Sequence, residues 1–161
     1  TVVVEDAHSG YEFFRVVCEE NGMVCASAGG KSNLKAAVSG LGGESALVIA
    51  DGAAIGPEMN ELYQLMCCKP ALKCYLPESF EWMILKSGMI DGNHIRDLLK
   101  HPEDFIESRK YFSWERFFTA ILTEYTKNSY FKYSKSKLNE VYLHEKVKQA
   151  ILDVTEGISW H

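Results

Sequence analysis

Apolar residues fall along this chain in two rhythms. Short strand-like runs at residues 1–5, 23–26, 46–50 and 72–76, of which 46–50 is apolar without a break, alternate with stretches in which apolar positions return every third or fourth residue. An apolar run without alternation reads as a strand buried on both faces, and the second rhythm reads as an amphipathic helix. Tyr11, Phe14, Val17 and Cys18 set a helix over 10–20, stopped by Asn21-Gly22 and opened by Ser9 as N-cap. A second helix is predicted over 33–39. A third starts with Pro57 at its first position and is lined by Met59, Leu62, Tyr63 and Met66. A fourth runs from Pro77-Glu78 to Lys86.

Strand and helix thus alternate four times, which argues for an α/β fold with a small parallel-type sheet of about four strands and flanking helices, of flavodoxin-like kind. After Gly88 the pattern changes. Only helical periodicity remains, over 91–100, 102–110, 114–127 and 137–155, the last with Val141, His144, Val147, Lys148 and Ile151 near one face. The expected layout is an α/β domain over 1–88 and a helical segment over 89–161 packed on it.

Composition narrows the function classes. With 161 residues the chain can bury one sizeable core. A formal charge of −5 argues against a global basic field for nucleic acid, although a local patch remains open. No apolar run approaches the roughly 18 residues of a membrane span, and no signal peptide is read, so no membrane partner and a cytoplasmic protein are expected. The start at Thr1, straight into a strand, suggests one domain of a longer protein. The five cysteines, Cys18, Cys25, Cys67, Cys68 and Cys74, show no zinc spacing and are expected to be reduced and mostly buried. His94, His101, His144 and His161 likewise lack metal spacing, and Gly-x-Ser-x-Gly is absent.

Chemistry concentrates at the carboxyl ends of the strands, where open α/β sheets bind ligands. The first strand ends at Glu5, the third at Asp51, and the fourth leads to Glu78 and Glu81. Converging carboxylates would form a hard, oxygen-rich site suited to Mg²⁺ or Mn²⁺. The plainer alternative is that each acid caps the helix that follows it. His8, on the loop after Glu5, is a candidate proton carrier or simply a solvated side chain.

Two further stretches suggest ligands. Gly30-Lys31-Ser32 resembles the tail of a phosphate-binding P-loop, but Cys25 stands where that motif needs its first glycine, which excludes it. A smaller anion site remains: Gly29 and Gly30 would offer backbone N–H groups and Lys31 a charge. Tyr130, Phe131 and Tyr133 interleave with Lys127, Lys132, Lys135 and Lys137, a mixture that suits stacking and phosphate contact with single-stranded nucleic acid, or a solvated loop whose aromatics tuck into the core.

In order, these motifs resemble a Toprim domain, the metal-dependent fold of topoisomerases, primases and overcoming-lysogenization-defect nucleases. Glu5 matches the glutamate ending that family's first strand. The stretch Asp51-Gly-Ala-Ala-Ile-Gly56 matches the Asp-x-Asp and glycine after its third, except that Ala53 replaces the second aspartate. The turn Ala28-Gly-Gly-Lys31 is similar to the glycine turn after the second strand, and Glu81 to an acid at the helix start after the fourth. The resemblance covers residues 1–88. It implies that Glu5 acts as general acid or base and that Asp51, with Glu5 or Glu81, holds Mg²⁺ or Mn²⁺ for phosphodiester chemistry on nucleic acid. Ala53 opens the alternative of a degenerate, non-catalytic module that binds a protein partner or a linked ATPase.

Overall fold

The computed structural model describes residues 1–42, 45–52, 55–56, 58–106 and 113–160. Four strands, β1 (Val2–Val4), β2 (Cys25–Ser27), β3 (Ala46–Ile49) and β4 (Leu72–Tyr75), form one all-parallel sheet in the order β2-β1-β3-β4. The expected fold class is therefore observed. Val4 lies level with Ser27 on one side and with Ile49 on the other, so the strands end on a common line. The sheet grows outward from β1 to β2, then restarts at β3 and grows the other way. That restart is a topological switch point, and it falls between the ends of β1 and β3.

Alternate strand residues serve opposite faces, as a period of two requires. Val3, Ala46 and Val48 pack with Leu34, Val38 and Leu62 from α2 (Leu34–Ser39) and α3 (Glu58–Cys68). Val2, Val4 and Ile49 face a larger core built on α1 (Ser9–Glu20) and α4 (Phe80–Lys86). That core continues without a break into α5 (Asn93–Lys100), α6 (Trp114–Thr126) and α7 (Glu145–Leu152), through Ile95, Phe117, Leu122, Tyr142 and Ile151. Residues from both sides of position 88 thus share one hydrophobic cluster. Each fully buried Phe within it contributes about 1.5–3 kcal/mol, and Phe13, Phe14 and Phe80 meet ring to ring at 5.2–6.0 Å.

Several local expectations are corrected. Helix α1 starts at Ser9 with His8 at the N-cap position, and it is the Asp6 carboxylate, two residues earlier, that accepts from the N–H groups of Ala7, His8 and Gly10. Helix α4 begins at Phe80, because the Ser79 hydroxyl accepts from Trp82 N–H at 3.1 Å and caps it there. The long helix expected over 137–155 breaks into a 3-10 turn (Glu140–Leu143) and α7. The Asn139 side chain caps the first piece and His144 is extended between the two. Val141, Val147, Lys148 and Ile151 are buried as their spacing suggests, whereas His144 is exposed.

Over 102–106 the chain forms a 3-10 turn (Pro102–Asp104), and the rest of the helix expected there lies outside the described residues, as do Pro57 and Ala53. On α3 the only buried side chain is Leu62, and Met59, Tyr63 and Met66 face outward. The cysteines depart from the expected burial: Cys18 is buried, Cys25 and Cys74 are half-buried, and Cys67 and Cys68 are exposed at the end of α3.

Candidate functional site

The switch point brings Glu5 and Asp51 together. The ladder pairs Val4 with Ile49, and Glu5 N–H continues it by donating to the Ile49 carbonyl at 2.8 Å. One step further, the Asp51 backbone lies close enough to the Glu5 carboxyl to favour its ionised form. Gly52 then turns the chain against the loop after β4. Its N–H donates to the Pro77 carbonyl at 2.6 Å, and a Cβ placed on Gly52 would lie 2.8 Å from the Leu76 carbonyl oxygen. No side chain fits that approach, which explains the glycine directly after the acid.

Burial raises the Glu5 carboxyl above its ordinary value; the Asp51 backbone acts against this, while Glu115 and Asp6 add to it. Asp51 is crowded by protein, and that burial, followed by the negative charges of Glu81 and Glu5, drives its carboxyl well above the usual range. The two acids therefore hold their protons more firmly than free carboxyls would.

Glu81 reaches the same neighbourhood from the first turn of α4. It is 2% exposed and accepts from the Tyr133 hydroxyl at 2.7 Å. Burial and that carboxylate raise the Tyr133 phenol, so it stays a donor. Tyr133 is itself buried, which removes it as a stacking surface for a base. Lys132 is exposed. Lys135 turns inward instead, where its ammonium pairs with Glu115 of α6. Burial alone would lower the Lys135 ammonium, but Glu81, Glu115 and Asp51 outweigh it and hold it above its ordinary value.

The segment carrying Tyr133 and Lys135 is fastened mainly through its backbone. Ser9 donates its N–H and hydroxyl to the Lys135 carbonyl at 3.1 and 2.9 Å, and its hydroxyl also reaches the Ser134 carbonyl at 2.6 Å. Leu138 N–H donates to the Glu12 carboxylate at 2.7 Å. Ser9 is thus a clasp for this strap rather than the cap of its own helix. Sequence reasoning missed Asp6, Glu115 and the clasp. Only Asp6, an acid three residues before Ser9, carried a readable signal.

The anion site expected at the second turn has a different geometry. Gly29 N–H donates to the Ser27 hydroxyl and Gly30 N–H to the Glu5 carbonyl, so neither backbone donor is open to a ligand. Lys31 remains exposed beside them. His8 and Glu78 are exposed.

The donor set at the switch point is oxygen-only, the kind Mg²⁺ and Mn²⁺ take. Mg²⁺ commonly uses one or two carboxylates together with waters and substrate phosphate, which Glu5 and Asp51 fit. Among the described residues no three His, Cys, Asp or Glu side chains are placed to enclose an ion. Among the described residues, too, no helix is long and apolar enough to cross a membrane. No family model, curated protein or solved structure matches the chain.

Proposed function

We propose that this chain is a diverged Toprim-like domain whose switch-point acids bind Mg²⁺ or Mn²⁺ and act on the phosphodiester backbone of nucleic acid. The observation that carries this reading is the placing of Glu5 and Asp51 at the carboxyl ends of the neighbouring strands β1 and β3, which the Glu5 N–H bond to the Ile49 carbonyl keeps in step. That crevice is where doubly wound sheets bind ligands, and its carboxylates outnumber its one lysine. Asp51 holds the ion, and Glu81 contributes negative charge from α4. Glu5 exchanges protons with the reacting oxygen or water. Its raised carboxyl suits that role, because efficient acid–base groups titrate nearer the working pH. The metal, when bound, neutralises charge on the phosphoryl group.

A second reading has its own observation. Met59, Tyr63 and Met66 recur on the outer face of α3, at 40%, 64% and 36% exposure, and Glu81 is already engaged by Tyr133. A non-catalytic module that docks a protein partner, a linked ATPase among them, would present such a helix.

Titration calorimetry with Mn²⁺, followed by cleavage of single- and double-stranded DNA and RNA, separates the two. The metal-enzyme reading expects Mn²⁺ binding and cleavage that Asp51→Asn abolishes. Absence of Asp51-dependent Mn²⁺ binding overturns it.

A further inference from the structure

A cavity of about 610 Å³ opens to solvent between the loop after β4, α4 and the C-terminal end of α7. That volume falls in the range of small-molecule sites, roughly 300–1,000 Å³. The cavity lies at the carboxyl end of the edge strand, and none of Glu5, Asp51, Glu81 or Lys135 lines it. Its walls are of two kinds. Tyr75, Leu76, Pro77, Trp82 and Val154 supply apolar surface. The Tyr75 hydroxyl donates to the Val154 carbonyl at 3.4 Å, and burial and the charge of Glu156 raise the phenol, so this wall stays neutral. Glu78, Asp153 and Glu156 supply three carboxylates and Lys86 one ammonium, all on exposed side chains. Among the described residues no ion pair engages any of the three acids. Asp153 accepts from the Gln149 amide at 2.7 Å, which is a neutral partner. Three negative charges against one positive leave two unmatched.

Lys86 shows what the aromatic wall accepts. Residues four apart share a face of α4, and the Lys86 Nζ lies 5.7 Å from the centre of the Trp82 ring. That is within the roughly 6 Å over which a ring attracts a cation, and tryptophan attracts most strongly. An aliphatic chain that ends in an ammonium therefore already rests on this wall. Because Lys86 is exposed, the contact is weak and can be exchanged for another of the same kind.

We infer that this cavity binds a free aliphatic polyamine. Its methylene groups cover the Trp82 ring and the apolar base. One ammonium takes the place of Lys86 over the ring, and the others meet Glu78, Asp153 and Glu156. Two unmatched charges call for a chain with several ammonium groups rather than one. A lysine side chain from a protein would bring the same end group, but also a main chain whose polar groups lose water against apolar surface. The site holds whether or not Glu5 and Asp51 bind a metal.

Calorimetry on the full chain with spermidine, 1-aminopentane and an acetylated trilysine amide tests this. Spermidine is expected to bind more tightly than either of the others. Trp82→Leu, which keeps an apolar wall, should weaken spermidine about two- to fivefold. Glu156→Gln should weaken it about fivefold. Lys86→Gln should tighten it about two- to fivefold, since the ring is freed and a like charge removed. Asp91→Asn makes an equal change of charge outside the cavity and should alter nothing. An equal loss in Asp91→Asn and Glu156→Gln would mean general attraction to an acidic surface, and overturns the site. Absence of spermidine binding, tighter binding of 1-aminopentane, or no gain in Lys86→Gln overturns it as well. Trilysine binding as tightly as spermidine overturns the assignment to a free polyamine. Glu156 and Lys86 are exposed, so their variants carry the test should Trp82→Leu fail to fold.

Discussion

Replacing Tyr133 with Phe removes one oxygen and leaves the ring where it is. The ring packs edge-on against Tyr142 with centroids 6.2 Å apart, and that contact survives. What is lost is the hydroxyl's bond to the Glu81 carboxylate, made at 2.7 Å where Glu81 is only 2% exposed. Hydrogen bonds to charged groups contribute about 1.5–3 kcal/mol, and a buried acceptor left bare loses nearly all of it. Tyr133→Phe should therefore lower the unfolding free energy by about 1.5–3 kcal/mol. For a chain of this size the melting temperature should fall by roughly 3–10 °C. Urea unfolding followed by far-UV circular dichroism measures the loss directly, and an unchanged m-value shows that the native fold persists. A double-mutant cycle with Glu81→Gln sharpens the test. A neutral acceptor makes a bond about half as strong, so the two changes should couple by about 1 kcal/mol. A loss below about 0.5 kcal/mol, with no coupling, would refute the claim that this bond ties the helical half to α4.

Three more outcomes follow from the same geometry. Asp51→Asn, measured in the presence of a chelator, should flatten the dependence of stability on pH. In the folded chain the Asp51 carboxyl is raised, so its stabilising influence is complete below the unfolded value of 3.8 and is lost as pH rises through the folded one. The variant should exceed the parent in urea midpoint at pH 7 and match it near pH 4; a parent that is the more stable at pH 7 contradicts the assignment. Gly52→Ala should cost about 1–3 kcal/mol, because its Cβ would sit 2.8 Å from the backbone oxygen of Leu76, and thermal melting reads this. Ser9→Ala should cost about 1–2 kcal/mol and raise amide exchange at Leu138 more than in β1, since it unfastens one end of the strap.

The sheet and its two central acids were legible because their signals are local. Short runs rich in apolar residues mark the strands, and Glu5 and Asp51 stand at the ends of two of them. Parallel pairing then brings those ends together with no further information. The remainder of the site depends on distant pairings. Tyr133 meets Glu81 across 52 positions, and Ser9 meets the strap across more than 120. The clasp uses main-chain carbonyls as acceptors, and a carbonyl leaves no mark in a sequence. The basic and aromatic spacing of residues 130–137 was real, but spacing alone could not show that Tyr133 and Lys135 point inward while Lys132 points out. The apolar positions of α3 illustrate the same limit. Periodicity locates a face, whereas burial depends on what lies opposite: of Met59, Leu62, Tyr63 and Met66, Leu62 alone is buried. The break before α7 was present in the sequence as Asn139, a good capping residue, but was outweighed by the helical periodicity around it.

The clasp at Ser9 holds the carbonyls of Ser134 and Lys135 and touches neither side chain. Position 135 is consequently a socket: the backbone delivers whatever side chain it carries to the same place beside Glu115. One codon there sets the charge next to α6 without redesign of the frame around it, and a fluorescent or spin-labelled side chain introduced at 135 would report on that neighbourhood from a fixed backbone anchor.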